Sequence, residues 1–239
     1  IIKPSPDAPN LAKVIEEMIS ECFDPNYITL VQGGRKTNTI LFHKKFDFIF
    51  FTGSPSLGRI VMKAAAEHLT PIILELGGKS PCIVDKDSNL DITAKRIVWG
   101  KFLNAGQTCI APDYLIVHES VKQELFEHMI NYIKQIYGKN PYQSKHYGRM
   151  VHDNAMDRLL GLMESEKIIY GGEYNKEKRY IAPTIIELKS TNTKIMQEEI
   201  FGPLLPVWTF TDIEEAIEYI NNNEKPLALY YFGKNKEAQ

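Results

Sequence analysis

Apolar positions recur along this chain at two periods, and the switches between them outline a fold. Leu11, Val14, Ile15, Met18 and Ile19 fall at helical spacing, with Asp7 ahead of them as N-cap. Tyr27 to Val31 reads as a short strand closed by Gly33-Gly34, and Thr37 to Phe42 as a short helix. The continuous run Phe48-Ile49-Phe50-Phe51 has the pattern of a strand buried on both faces. A helix over Ser56 to His68 and a second buried strand over Pro71 to Leu76 follow. Strand, helix and strand at this spacing predict parallel βαβ units with right-handed crossovers.

A second region begins near Gly77. Strands are predicted at Cys82-Ile83-Val84, Tyr114 to Val117, Thr184-Ile185-Ile186, Pro206-Val207-Trp208 and Leu227 to Phe232. Helices are predicted at Leu90 to Phe102, started by Asn89 or Asp91, and at Val121 to Ile136, Met156 to Met163 and Asp212 to Asn221. Asp212 ahead of Glu214-Glu215 is a helix-start signal. Asn140 to Gly148 reads as a polar loop and Gly171 to Arg179 as a turn-rich hairpin or loop. The charged segment ending at Gln239 has no closure signal. The economical reading is two α/β lobes, divided near Leu76 without a long linker, sharing a site.

Composition narrows the function classes. A chain of 239 residues can bury a sizeable core. A net charge of −2 gives no electrostatic case for nucleic acid. No apolar stretch is long enough to span a bilayer, and no N-terminal signal pattern is present. The three cysteines, Cys22, Cys82 and Cys109, are too few and scattered for a disulfide framework. They fit a reducing compartment and predict a cytoplasmic protein. No Cys-x-x-Cys or Cys/His spacing suggests a metal site.

The chemistry concentrates in two Gly-containing segments. Gly106-Gln107-Thr108-Cys109 presents one cysteine on a small-residue loop after a helical pattern. Glu75-Leu76-Gly77-Gly78-Lys79-Ser80 places a carboxylate at the end of an apolar run, where ligands sit in α/β sheets. A nucleophile and a base on separate turns is the layout of covalent thiol catalysis. The loop's backbone N–H groups are placed to face a developing oxyanion. Partial burial would suit Glu75 to proton transfer near neutral pH, unless it pairs with Lys79 instead. Cys22 and Cys82 fall within helix and strand patterns and read as core. Gly53-Ser54-Pro55-Ser56-Leu57-Gly58 follows a strand and opens a helix, the setting of a phosphate-binding turn. By itself such a turn is often only a turn.

These segments resemble the aldehyde dehydrogenase superfamily. Phe51-Thr52-Gly53-Ser54, Lys3-Pro4-Ser5 and Glu198-Glu199-Ile200-Phe201-Gly202-Pro203 extend the likeness in order along nearly the whole chain. Ala111-Pro112-Asp113-Tyr114 and Lys225-Pro226-Leu227-Ala228-Leu229-Tyr230 are most similar to the class 3 branch, whose substrates are fatty or aromatic aldehydes. The resemblance implies an α/β fold: residues 1–76 as the C-terminal part of a Rossmann-like NAD(P)-binding domain with a parallel sheet, and 77–239 as an incomplete catalytic domain. It implies that Cys109 attacks the aldehyde to form a thiohemiacetal, which is oxidised to a thioester, and that Glu75 activates the hydrolytic water. For the cofactor, NAD or NADP, it implies Lys3 at the adenosine ribose and Gly53, Ser54 and Gly58 at the phosphate turn. Leu76 joins them, with Glu199 at the nicotinamide ribose and Phe201 near the nicotinamide.

Two departures matter. Many members carry Lys-Pro-Ser-Glu where this chain has Lys3-Pro4-Ser5-Pro6. Losing that carboxylate removes repulsion toward a 2′-phosphate, so tolerance of NADP is expected. The family's Trp-Asn segment, whose amide completes the oxyanion hole, and its later Pro-Phe-Gly-Gly segment are not found. The chain is therefore expected to be an internal fragment with little turnover alone, from a parent that is a homodimer. Two other readings remain: an acylating relative that uses coenzyme A, which Glu75 argues against, and a non-catalytic module that keeps the fold.

Overall fold

The computed structural model describes residues 1–164 and 166–234. The charged terminal segment read from the sequence lies largely outside them. The chain divides into two compact units, Ile1–Glu75 and Leu76–Gln239.

In the first unit, α1 (Pro9–Cys22) starts on Pro9 at its first turn, a position where the missing N–H costs nothing. Ala8, not Asp7, occupies the N-cap; Asp7 is engaged with Ser5 two residues earlier. Of the α1 side chains only Ala12 is buried, and Leu11 and Met18 are exposed. Tyr27 to Val31 forms no strand; Leu30 makes one parallel bridge to Ile2. The helix α2 (Arg35–Phe42) and strand β1 (Ile49–Gly53) follow, then α3 (Pro55–Ala66) and β2 (Ile72–Leu76). β1 and β2 pair as a two-stranded sheet. Neither is buried on both faces: each alternates, leaving Phe50 and Ile73 exposed.

The second unit is built on a six-stranded sheet. Its strands are β3 (Pro81–Val84), β4 (Tyr114–His118), β5 (Lys167–Tyr170), β8 (Thr184–Glu187), β9 (Leu204–Phe210) and β10 (Tyr230–Phe232), in the order β10-β3-β4-β9-β8-β5. All neighbours are parallel except β5 with β8. Every residue of β3 is buried, as is β4 up to Val117, which is why these strands read as unbroken apolar runs. The edge strand β5 was not legible; Lys167 begins it, and Lys167 and Ile168 are exposed. A small hairpin, β6 (Tyr174–Asn175) with β7 (Tyr180–Ile181), occupies the turn-rich segment.

Helices α4 (Leu90–Phe102), α5 (Lys122–Tyr137), α6 (Asp153–Met163) and α7 (Ile213–Asn221) accompany the sheet. Asn89 caps α4 by accepting from the Ile92 N–H. Asp212 and Glu215 form a reciprocal capping box on α7. α4 and α5 pack on each other, and Ile97, Val98, Leu125, Met129 and Ile133 join the strand residues in one apolar core. No helix among the described residues is long and apolar enough to cross a membrane.

Candidate active site

Cys109 lies beyond the C-terminus of α4, on a backbone forced out of the helix abruptly. Asn104, Ala105 and Gly106 are all left-handed, with φ of 52°, 53° and 75°. Two non-glycine residues in that region store strain, which surrounding contacts must hold. Gly106 is obligatory here: a Cβ would overlap the Gly202 carbonyl oxygen. Gln107 fastens the loop. Its amide donates to Asn104 O and Arg149 O, both at 3.0 Å, and accepts from the Val151 N–H at 3.0 Å. Asn104 returns a bond to Gln107 O at 3.1 Å. Cys109 then falls in a turn closed by the Ala111 N–H to Thr108 O.

The cysteines have different surroundings. Cys109 is free and half-buried, Cys22 is exposed, and Cys82 is buried in β3. Burial pushes the Cys82 thiol far up, which makes it inert. Among the described residues, the backbone N–H of Cys109 donates to no acceptor, and neither does that of Ile110. Two free donors at a free thiol are what an incoming carbonyl oxygen needs.

Around this loop stands a group of buried charges. Asp113, four residues after Cys109, is buried and accepts from Lys79 Nζ at 2.6 Å and from the Ile200 N–H at 2.9 Å. Lys79 Nζ also donates to Ile195 O and Glu198 O. Lys79, the cation considered as a partner for Glu75, is thus committed to Asp113. Arg158 completes the hold on the Glu198–Ile200 segment, donating to Glu199 O at 3.2 Å and Ile200 O at 2.5 Å. Lys101, at the end of α4, is fully buried and its Nζ has no hydrogen-bond partner among the described residues. Burial brings its pKa down to about 8, against the pull of Asp113 and Glu199. The sequence reading gave no role to Lys101, Arg158 or Asp113 and no side-chain role to Gln107, although Gln107 and Asp113 were part of quoted motifs.

Glu199 is half-buried, and a Cβ on Gly77 would overlap its carboxylate. Gly77 therefore leaves space that the carboxylate occupies. Burial pushes the Glu199 carboxyl above its ordinary value, opposed by the Gly78 N–H. Phe201 is left-handed, with φ of 46°, and exposed. The segments that carry Cys109, Glu199 and Phe201 are thus tied together through Asp113 and Gly202.

In the first unit, Gly53, Ser54 and Gly58 lie together at the start of α3. Ser54 is the N-cap, accepting from the Leu57 N–H at 3.3 Å, and Gly58 is buried. Beside them a cavity of about 570 Å³ is lined by Arg35, Asn38, Phe42, Ser54, Ser56 and Leu57, among others. Asn38 Oδ1 is buried there without a partner among the described residues. The helix N-terminus suits an anionic group and the orphaned acceptor suits a hydroxyl or amine donor, and a dinucleotide carries both kinds of group. Lys3 is half-buried and donates to its neighbour's carbonyl, Pro4 O, at 2.6 Å. Leu76 ends β2 half-buried. Glu75 is exposed rather than partly buried, because it falls on the open face of a two-stranded sheet, and its carboxylate has no partner among the described residues.

The sequence matches the aldehyde dehydrogenase family over residues 1–239. It is 47% identical to the 4,4'-diaponeurosporen-aldehyde dehydrogenase of Staphylococcus aureus, over 100% of this chain and 52% of that protein. It is 46% identical to the dimeric NADP-preferring aldehyde dehydrogenase of Rattus norvegicus, again over 100% of this chain and 52% of the relative. The fold superposes on Staphylococcus aureus AldH in a substrate-bound state with a TM-score of 0.95 and 46% identity, covering 99% of this chain and 52% of that one. For PnpE in complex with nicotinamide adenine dinucleotide the TM-score is 0.86 at 30% identity, covering 99% of this chain and 51% of that one. The chain thus spans about half the length of the curated relatives it matches. Motifs, fold and sequence agree, and the chain belongs to the aldehyde dehydrogenase family.

Proposed function

We propose that this chain carries the nucleophile and much of the cofactor site of an NAD(P)-dependent aldehyde oxidation. One observation carries the reading: in a family member, Cys109 is a free, accessible thiol whose own N–H is unengaged, on a strained loop fixed by Gln107. In this reading the unit Ile1–Glu75 holds most of the nucleotide end of the cofactor and supplies Glu75, and the unit from Leu76 carries the nucleophile.

The Cys109 sulfur attacks the aldehyde carbon, and the carbonyl oxygen gathers negative charge toward the Cys109 and Ile110 N–H groups. When bound, a nicotinamide dinucleotide supplies the two-electron acceptor that turns this thiohemiacetal into a thioester. Glu75, with an exposed and unpartnered carboxylate, takes the proton from the water that attacks the thioester. The carboxylate product leaves and the thiol is restored. Lys3, the first turn of α3 with Gly53, Ser54 and Gly58, and Leu76 would hold the nucleotide; Glu199 would accept from the two vicinal ribose hydroxyls, and Phe201 would pack near the nicotinamide. The name of the Rattus norvegicus relative, dimeric and NADP-preferring, supports NADP acceptance and a dimer, and the class 3 resemblance supports a fatty or aromatic aldehyde.

The test is a race between thiols. Iodoacetamide should alkylate Cys109 about tenfold faster than Cys22, the exposed helical reference. Equal rates would remove Cys109 as an activated nucleophile. In the complete protein, Cys109→Ser should abolish aldehyde-dependent formation of reduced cofactor, and Glu75→Gln should let a thioester accumulate.

A further inference from the structure

The run Lys225 to Tyr230, notable in the sequence, has no part in the chemistry above, yet the chain folds it across both motif loops of the second unit. A Cβ on Gly78 would stand 3.0 Å from Pro226 Cα. The Ala228 N–H points to Ser80 Oγ at 3.4 Å. Tyr230 Oη donates to Ile110 O at 2.5 Å, across 120 residues of sequence. Alternate residues 226, 228 and 230 therefore touch the glycine loop, its end and the residue after Cys109.

The anchor itself is firm. Tyr230 begins β10, which pairs in parallel with β3 in the register Tyr230 to Cys82. Burial first, and then the thiols of Cys82 and Cys109, keep the Tyr230 phenol above its ordinary value, so it remains a donor at neutral pH. The turn holding Cys109 is thus pinned on both sides. Gln107 fixes the side before the cysteine, through Arg149 O and the Val151 N–H. Tyr230 fixes the side after it. Without the second bond, the side of the turn after Cys109 would be held, among the described residues, by the Ala111 to Thr108 bond and by the Asp113 N–H to Ser80 O.

We infer that Tyr230 is a positioning residue for Cys109, acting through its hydroxyl on the Ile110 carbonyl, within the strap 226–230 that ties the glycine loop to the cysteine loop. The inference rests on reading Cys109 as the nucleophile.

The experiment compares the wild-type chain with Tyr230→Phe, which removes only the hydroxyl. A lost hydrogen bond of ordinary strength shifts a local opening equilibrium by about fivefold. The Ala111 amide should therefore exchange with deuterium about fivefold faster, with β3 and β4 unchanged. The iodoacetamide rate of Cys109 relative to Cys22 should fall by about threefold, because the sulfur no longer keeps one orientation. Tyr231→Phe is the control: it loses a bond to Asp85 Oδ2 at 2.9 Å, elsewhere on the same strand, and should change neither reading. If Tyr230→Phe fails to fold, Tyr230→Met, which also lacks the hydroxyl, must give the same local change. Unaltered Ala111 exchange, or the same effect from Tyr231→Phe, overturns the inference. A wild-type Cys109 no faster than Cys22 refutes the nucleophile instead, and leaves the Ala111 reading to decide on Tyr230.

Discussion

Replacing Lys101 by methionine should stabilise the second unit at neutral pH, and the gain should fade as pH rises. Lys101 is fully buried, and its ammonium has no hydrogen-bond partner among the described residues. Its pKa in the fold is about 8, against 10.5 ordinarily. Between those values the unfolded chain binds the proton more tightly, so stability rises with pH. Below about 8 the folded state carries the full cost of the buried charge. That gap corresponds to about 3 kcal/mol, of which about 2 kcal/mol is recovered between pH 7 and 9.5. Methionine keeps the apolar stem and volume and removes the charge, and such replacements of buried ions are often neutral or stabilising. Asp113 keeps Lys79 and the Ile200 N–H when Lys101 is gone. Urea unfolding followed by tryptophan fluorescence reports this unit, since both tryptophans, Trp99 and Trp208, lie in it. Lys101→Met should be more stable than wild type by about 2–3 kcal/mol at pH 7, the difference narrowing by about 2 kcal/mol at pH 9.5. Other groups that bind or release protons in this range are common to both proteins and cancel. A difference that stays constant with pH, or a variant less stable at pH 7, would refute the assignment of Lys101 as an uncompensated buried amine.

Gly106→Ala should destabilise the chain by about 1–3 kcal/mol from backbone strain alone, with overlap against Gly202 O added, read as a lowered midpoint in the same assay. Asp113→Asn breaks a buried ion pair and should cost about 3 kcal/mol; faster amide exchange at Ile200 should accompany it. Glu199→Gln should weaken NAD binding about tenfold by fluorescence titration, since a carboxylate acceptor for two hydroxyls becomes a neutral amide. In the wild type, affinity should fall with decreasing pH from a value above that of an ordinary glutamate, because the Glu199 carboxyl is raised and binding needs it ionised. Affinity that does not change with pH over the acid range would count against that role.

What the sequence revealed, and what it hid, follows from the range of each interaction. Strands β3 and β4 were legible because burial on both faces demands an unbroken apolar run. The same signal misled at Phe48 to Phe51. Hydrophobicity records what a strand would bury, while Phe50 and Ile73 find no cover in a two-stranded sheet. Tyr27 to Val31 has strand composition, but a strand needs a partner, and only Leu30 has one. The capping box at Asp212 is local and was readable. Cys109 and Glu199 stood out through their motifs. Lys79, Gln107 and Asp113 lie in those motifs too, but the contacts by which they hold the site were not legible, because Lys79 reaches Asp113 across 34 residues and Ile195 across 116. No pattern within one element reports such a contact.

Those long contacts also give the site its unity. Asp113 follows Cys109 by four residues and binds the N–H of Ile200, the residue after Glu199. Lys79, on the glycine loop, joins the same carboxylate and the carbonyls of Ile195 and Glu198. Gly106 meets Gly202 at contact distance, with no room for a methyl group between them. Cysteine loop, glycine loop and the Glu199 segment therefore cannot shift independently. An ion pair this dry is a poor source of net stability, since desolvation consumes most of its Coulomb energy. Its value here lies in geometry: one carboxylate fixes three loops whose residues must face the same substrate. On that argument, Asp113→Asn should impair Cys109 alkylation and NAD binding together. Loss of one without the other would mean that the loops are held separately.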